Sequence, residues 1–153
     1  MGDTYTVERF TTIAAPPTEV YSHLIDFRNW SAWSPWEELD PDMQKTYSGA
    51  ESGVGSKYAW VGNRKVGRGS MEITEAKDNS EVQIALEFLK PFKASNTTVL
   101  KLAPEGDGTR VSWTMMGQNT ILTRIMGIFK SMDSMVGPDF ERGLPRLKTV
   151  AED

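Results

Sequence analysis

The side chains that could carry acid–base or nucleophilic chemistry in this chain are few and scattered. There is one histidine and no cysteine. Thiolate catalysis, disulfides, cysteine-ligated metals and histidine-cluster metal sites are therefore excluded, and any Ser-His-Asp triad must use His23. His23 falls in an expected helix, two residues from Tyr21 and one from Leu24, and its spacing sets no reacting group beside it. It reads as a surface or boundary histidine. Glu72 and Glu87 lie on expected strands, but alternation sets them opposite Ile73 and Phe88. With the apolar residues inward, both carboxylates face water, and a paired-carboxylate mechanism has no candidates. Gly67-Arg68-Gly69 lacks the third glycine and the strand–turn–helix context of a dinucleotide site, and no P-loop, GxSxG or HExxH occurs. This reading assigns no catalytic residue, no metal ligand and no cofactor. The ionisable side chains left to serve an interior are Tyr58, and Arg68 if a bulge at Gly67 and Gly69 shifts its register.

The chemistry that residue types and spacing do favour is apolar binding. Tyr58, Trp60, Met71, Ile73, Leu86, Phe88, Trp113 and Met115 share one face if the apolar parity of each strand points inward. Of eight methionines, Met115, Met116, Met126, Met132 and Met135 fall in the last third of the chain, where their flexible side chains suit an adaptable surface. Trp60, Trp113, Phe88 and Met71 would line a cavity, with Met126 beside it and Trp33 and Phe129 at its mouth. A filled core is the competing reading. Geometry favours the cavity, because a long sheet bent at Gly67 and Gly69 around one helix leaves a central space. A membrane-surface helix is disfavoured for the Met-rich segment, whose polar face carries only Arg124 and Lys130.

The elements that must position these residues follow from periodicity. Tyr5 to Ile13 alternates as a first strand, ended by Ala14-Ala15-Pro16-Pro17. Pro17 opens a helix with Glu19 in its first turn and Val20, Tyr21, Leu24 and Ile25 on its apolar face. Asp26 is the N-cap of a second short helix, Phe27 to Ala32. Three of the five tryptophans, Trp30, Trp33 and Trp36, surround a turn forced by Pro35. Strands are expected at Met43–Tyr47, Ser56–Val61, Lys65–Lys77, Glu81–Leu89, Ser95–Ala103 and Thr109–Gly117, with a tight Gly62-Asn63 hairpin and turns at Asp78-Asn79-Ser80 and Glu105 to Gly108. Ile121 to Met135 has helical periodicity. Gly137-Pro138 should separate it from a last helix, about 22 Å long, that gathers Phe140, Leu144, Leu147 and Val150 on one face. Pro145 inside that helix should kink or loosen it.

Length, charge and hydropathy bound the rest. A chain of 153 residues reads as one domain, 1–153. A net charge of −4 without any dense Lys/Arg stripe argues against nucleic acid. No basic-then-apolar leader and no transmembrane-length apolar run is present, so a cytoplasmic protein is expected; a homodimer stays open.

Ile13-Ala14-Ala15-Pro16-Pro17-Thr18-Glu19-Val20-Tyr21, Asp26-Phe27-Arg28-Asn29-Trp30 and Trp33-Ser34-Pro35-Trp36 resemble the opening of SRPBCC (START-like) proteins of the polyketide cyclase/dehydrase-like group. Gly108-Thr109-Arg110-Val111-Ser112-Trp113 is similar to that group's penultimate turn and last strand. Phe140 to Leu144 with Arg146-Leu147-Lys148 is similar to its closing helix. The resemblance runs essentially the full length. It implies an α+β helix-grip fold: a seven-stranded curved antiparallel sheet around a long C-terminal helix, two short helices after strand one, and a deep hydrophobic cavity. It implies function more loosely, since members include cyclases, lipid carriers, receptors and co-chaperone-like domains with no shared catalytic set. The expectation is a carrier or sensor for a hydrophobic small molecule such as a lipid, polyketide or aromatic compound. A polyketide cyclase or dehydratase using the same cavity, and a protein-interaction domain whose exposed patch is the Trp33–Trp36 loop with the Met-rich segment, are the alternatives.

Overall fold

The computed structural model describes residues 4–36, 40–63, 66–90, 93–118 and 132–152. The alternating stretches become β1 (Thr4–Ile13), β2 (Gln44–Gly49), β3 (Ser56–Val61), β4 (Arg68–Lys77), β5 (Glu81–Lys90), β6 (Ala94–Glu105) and β7 (Gly108–Gln118). They pair antiparallel in the order β1-β7-β6-β5-β4-β3-β2. β2 to β7 is thus a plain meander, and β1 joins it beside β7. Between β1 and β2 lie α1 (Pro17–Ser22) and a 3-10 helix (Phe27–Ala32), the latter capped by Asp26, whose carboxylate accepts from the Arg28 N–H at 2.9 Å. A long helix, α2 (Met132–Glu152), follows the sheet. This is the helix-grip architecture.

Several boundaries differ from expectation, for local reasons. α1 is shorter than its apolar face suggested, with His23 as its C-cap. β2 runs on to Gly49, which takes a positive φ of 72° and closes against the Gly55 carbonyl. The expected two-residue hairpin at Gly62-Asn63 is instead a longer connection to Arg68. The Gly62 N–H donates to the Gly67 carbonyl at 2.9 Å, the Gly67 N–H donates to the Asn63 carbonyl at 2.7 Å, and Gly67 sits at φ 66°. β4 therefore starts at Arg68 rather than Lys65. It carries two register shifts, one between Arg68 and Gly69 and one between Ile73 and Glu75, and extra residues of this kind increase local twist and curvature.

The largest difference is α2. Gly137-Pro138 does not break the helix, which continues for 21 residues, about 31 Å at ~1.5 Å per residue. Residues 121–131 lie outside the described residues. Pro138 and Pro145 are seven apart and both exposed, while Phe140, Leu144, Leu147 and Ala151 are buried. Glu141, whose carbonyl Pro145 leaves without its helical partner, is itself exposed, so water can replace the lost bond. The opposite face holds the helix down, at about 1.5–3 kcal/mol for each fully buried Phe or Leu side chain. α2 lies along β1: Arg9 Nε donates to Glu141 Oε2 at 2.8 Å, and the Ala14 N–H donates to Glu152 Oε2 at 2.7 Å.

Candidate functional site

Pairing and parity assign the inner face of the sheet. Tyr47, Tyr58, Met71, Leu86, Asn96, Gly117 and Tyr5 stand in a single cross-strand row that crosses all seven strands. Beside it runs a second row, Ile73, Ile84, Thr98, Met115 and Val7, and beyond that Val82, Leu100, Trp113 and Arg9. Residues two apart on a strand share a face, so these rows floor the space between sheet and helices.

One end of this floor is filled. Trp113, 1 % exposed, stacks on Phe140 of α2 with ring centroids 4.1 Å apart. It receives the rings of Trp33, Trp30 and Trp36 edge-to-face at 5.5, 6.2 and 5.8 Å. Trp30 Nε1 donates to the Leu24 carbonyl at 3.0 Å and Trp33 Nε1 to the His23 carbonyl at 3.1 Å, so the short helices hold both indoles in place. Trp113 Nε1 is buried without a hydrogen-bond partner among the described residues. Gly143 lets α2 approach: a Cβ there would sit 2.9 Å from Trp113 Cζ3 and 3.0 Å from Pro35 Cδ.

The other end is different. Tyr47, Trp60, Met71 and Phe88 face inward yet are only half-buried, flanking the buried Tyr58 and Leu86. Trp60 lies across Gly69, where a Cβ would meet its ring at 2.7 Å, and its Nε1 donates to the Val66 carbonyl at 2.8 Å. Phe88 presents an edge to Trp60 at 5.8 Å, and Tyr47 meets Tyr58 at 5.3 Å. Arg28 covers the outer end of this row, its guanidinium 5.0 Å from the Tyr47 ring centroid. The strand whose backbone comes closest to α2 is β1.

The residues expected to form a site thus divide. Trp33, Ile73, Trp113 and Met115 are packed in the filled end; Tyr58, Trp60, Met71, Leu86 and Phe88 form the second floor. Trp33, expected at a mouth, is 1 % exposed. Met126 and Phe129 lie outside the described residues. Arg68 is exposed on the outer face, because the register shift falls after it rather than before. His23 is a boundary residue, its Nε2 3.9 Å from Glu19 Oε1. Sequence reasoning missed Tyr47, Tyr5, Asn96 and Thr98. Asn96 and Thr98 share the parity of Leu100 and Leu102, and Tyr5 that of Val7 and Ile13, so the signal was present; their polarity hid it.

These missed residues form a small polar station. Thr98 Oγ1 donates to Asn96 Oδ1 at 3.3 Å, and the Tyr5 ring, lying over Gly117, the cross-strand partner of Asn96, brings its hydroxyl beside them. Burial pushes the Tyr5 phenol above its ordinary value, and the nearby Asn96 amide pulls it back less strongly, so Tyr5 stays neutral at physiological pH. On the outer face, an open depression of about 580 Å³ is lined by Thr4, Thr6, Ala85, Ser95, Thr97 and Met116 with Tyr5, Asn96 and Gly117. No helix among the described residues is long and apolar enough to cross a membrane.

Comparisons with known proteins place this geometry. No curated protein matches the sequence. Among solved structures, the protein CV1439 from Chromobacterium violaceum is similar at 15 % identity, covering 97 % of this chain and 98 % of its own, with a TM-score of 0.69. The Aha1 dimer from Colwellia psychrerythraea aligns at 19 % identity over 97 % and 96 %, TM-score 0.66. Ara h 8.0201 aligns at 12 % identity over 97 % of both chains, TM-score 0.67. At these identities the likeness is one of fold. A family model described as polyketide cyclase/dehydrase and lipid transport matches residues 4–152, and the chain belongs to that family.

Proposed function

We propose that the protein binds a hydrophobic small molecule on the inner face of β2–β5, acting as a carrier or sensor. The observation that carries this reading is the half-buried state of Tyr47, Trp60, Met71 and Phe88, which face inward. A core that has closed on itself buries such side chains fully, and large apolar surface left partly accessible marks a binding surface. The lining is Tyr58, Trp60, Met71, Leu86 and Phe88, with Tyr47 and Arg28 at its edge. Carriage or sensing is favoured over cyclisation because no carboxylate or histidine of the described strands faces this floor; of the two groups a cyclase reading could use, Arg68 is exposed on the other side and only Tyr58 is inward. Of the patch an interaction-domain reading needs, the Trp33–Trp36 loop packs its indoles against Trp113, and residues 119–131 of the Met-rich segment lie outside the described residues.

Tryptophan quenching and native mass spectrometry with a panel of medium-chain alcohols, fatty acids and polyphenols test the proposal. Saturable one-to-one binding is expected. Met71→Asp, which puts a charge on the floor, should weaken it more than tenfold. Absence of saturable binding across the panel, or binding indifferent to Met71→Asp, would refute the assignment.

A further inference from the structure

Four polar residues are buried in the described chain: Ser56, Asn96, Thr98 and Thr109. Two have structural tasks that their bonds reveal. Ser56 Oγ donates to the Ala50 carbonyl at 2.9 Å, tying down the β2–β3 loop, and Thr109 Oγ1 donates to the Ala15 carbonyl at 2.7 Å, tying β7 to the segment after β1. Asn96 and Thr98 tie down nothing of the kind. Their described side-chain bond runs between the two of them, with the Tyr5 hydroxyl brought alongside across Gly117. Burying an amide costs free energy that a hydrogen bond only partly returns, so two leucines in place of this pair would give an equally good strand. The Thr98–Asn96 bond, at 3.3 Å, is long for a hydroxyl donor, which leaves both groups capacity for another partner.

The surroundings are arranged to keep this station together. A Cβ at Gly117 would lie 2.6 Å from the Tyr5 hydroxyl and 2.7 Å from Cζ. The absent side chain is thus what lets the Tyr5 ring lie across β7 and reach Asn96 on β6. Asn96 is also the next member, after Tyr58, Met71 and Leu86, of the row that crosses the proposed binding floor. At ~4.8 Å between strands, Asn96 stands about 14 Å from Tyr58 along the sheet. No charged side chain belongs to this part of the row.

We infer that Tyr5, Asn96 and Thr98 are the polar anchor of the binding site, and that the ligand is an uncharged oxygenated hydrophobe, an alcohol, phenol or ketone, rather than a carboxylate. This rests on the binding role proposed above. The apolar body lies over Met71 and Leu86 toward Tyr58, and its oxygen exchanges hydrogen bonds with the anchor. A carboxylate would have to shed its hydration beside a neutral amide, hydroxyl and phenol, with the Arg28 guanidinium over Tyr47 at the far end of the row, four strands from Asn96 and too distant to repay it.

Two matched pairs of probes test this near neutral pH: decanol with decanoate, and naphthol with naphthoate, with naphthalene as the purely apolar control. The wild-type protein should bind the neutral oxygenated member of each pair at least about tenfold more tightly. Asn96→Leu combined with Thr98→Val should remove that preference, cost the alcohol and phenol about tenfold, and leave naphthalene binding unchanged. Because both replacements are apolar and the strand keeps its parity, thermal stability should hold or rise while affinity falls. Tyr5→Phe, which deletes one oxygen only, should shift the preference the same way by a smaller factor and covers the event that the double variant does not fold. Equal or carboxylate-favouring affinities overturn the inference while leaving the binding floor standing. So does a double variant that keeps its preference but melts several degrees lower, since the pair would then be structural. If no probe binds, naphthalene included, the binding role and the anchor fall together.

Discussion

Gly143→Ala sets two physical effects of opposite sign against each other at the tightest helix contact. Glycine inside a helix costs about 1 kcal/mol relative to alanine, so propensity alone says the substitution stabilises. Packing says otherwise. The new Cβ would stand 2.9 Å from Trp113 Cζ3 and 3.0 Å from Pro35 Cδ, where ordinary contact begins at 3.4 Å. Neither neighbour can step aside cheaply. Trp113 is stacked on Phe140 on one side and ringed by three indoles on the others, and Pro35 is rigid. Overpacking of this kind costs about 1–3 kcal/mol. We expect a net loss of about 1 kcal/mol, a melting temperature about 2–4 °C lower for a chain of this size, and a changed near-ultraviolet circular dichroism signal as the Trp113 cluster shifts. Pro35→Ala removes one of the two obstructing groups. In a double-mutant cycle it should relieve part of the penalty, with a coupling of about 0.5–1 kcal/mol. A melting temperature that rises by a few degrees in Gly143→Ala, or a cycle with no coupling, would refute the claim that this glycine is required by close packing.

Other consequences are read the same way. Thr109→Val leaves the Ala15 carbonyl, now accepting a 2.7 Å bond from a fully buried hydroxyl, without its partner; a loss of about 1–3 kcal/mol in urea denaturation is expected, and an unchanged midpoint would show that another donor replaces it. Pro145→Ala restores a helical N–H on the exposed side of α2 and should raise stability by about 2 kcal/mol, unless the helix geometry depends on the proline, in which case no gain appears. Glu152 has its carboxyl held below the ordinary range by hydrogen bonds from the Lys148 ammonium and the Ala14 N–H. A depressed folded value stabilises the fold above the ordinary glutamate value of about 4.3 and is lost as pH falls through and below it. Acid titration of the urea midpoint should therefore be shallower in Glu152→Gln than in wild type, and parallel curves would dismiss the contact as unimportant.

The fold was legible because its signals are period-based and local. Val82, Ile84, Leu86 and Phe88 against Glu81, Gln83, Ala85 and Glu87 can only be a half-buried strand, and β5 is there. Asp26 as a cap needs only its neighbours, and it caps. What failed depended on where water is. Gly137-Pro138 reads as a break to any local rule, yet the helix passes through it, because the prolines fall on the exposed face and the buried stripe on the other. The site was half legible for a related reason. Apolar parity identified Trp60, Met71 and Phe88, but it cannot distinguish a floor left partly open from one sealed by other aromatics. Gly69 was read as a bend, and a register shift does fall beside it. Its second role, making room for the Trp60 ring, comes from a residue on the neighbouring strand. A search for inward apolar residues passes over an inward asparagine by construction, and Asn96 and Thr98 were lost that way.

That last failure bears on how the interior is organised. The strands that supply the Trp113 row also supply the Asn96 row, four residues further along β7 at Gly117 and four back on β6 from Leu100. About 3.4 Å per residue separates the two by roughly 14 Å, with Val7, Met115 and Thr98 between them. The first row is closed by α2 and three indoles, and substitutions there should register mainly as stability. The second continues onto the floor of half-buried Met71 and Tyr47, and substitutions there should register mainly as affinity. Thr98 stands at the boundary, in the Met115 row but bonded to Asn96. If rigidity at one end is what holds the other in shape, Phe140→Ala should lower stability by about 3–5 kcal/mol. Under conditions where it remains folded, it should weaken naphthol and naphthalene alike and leave the preference for naphthol over naphthoate intact. A loss of that preference would mean that the two rows are not separable, and that the anchor depends on the helix after all.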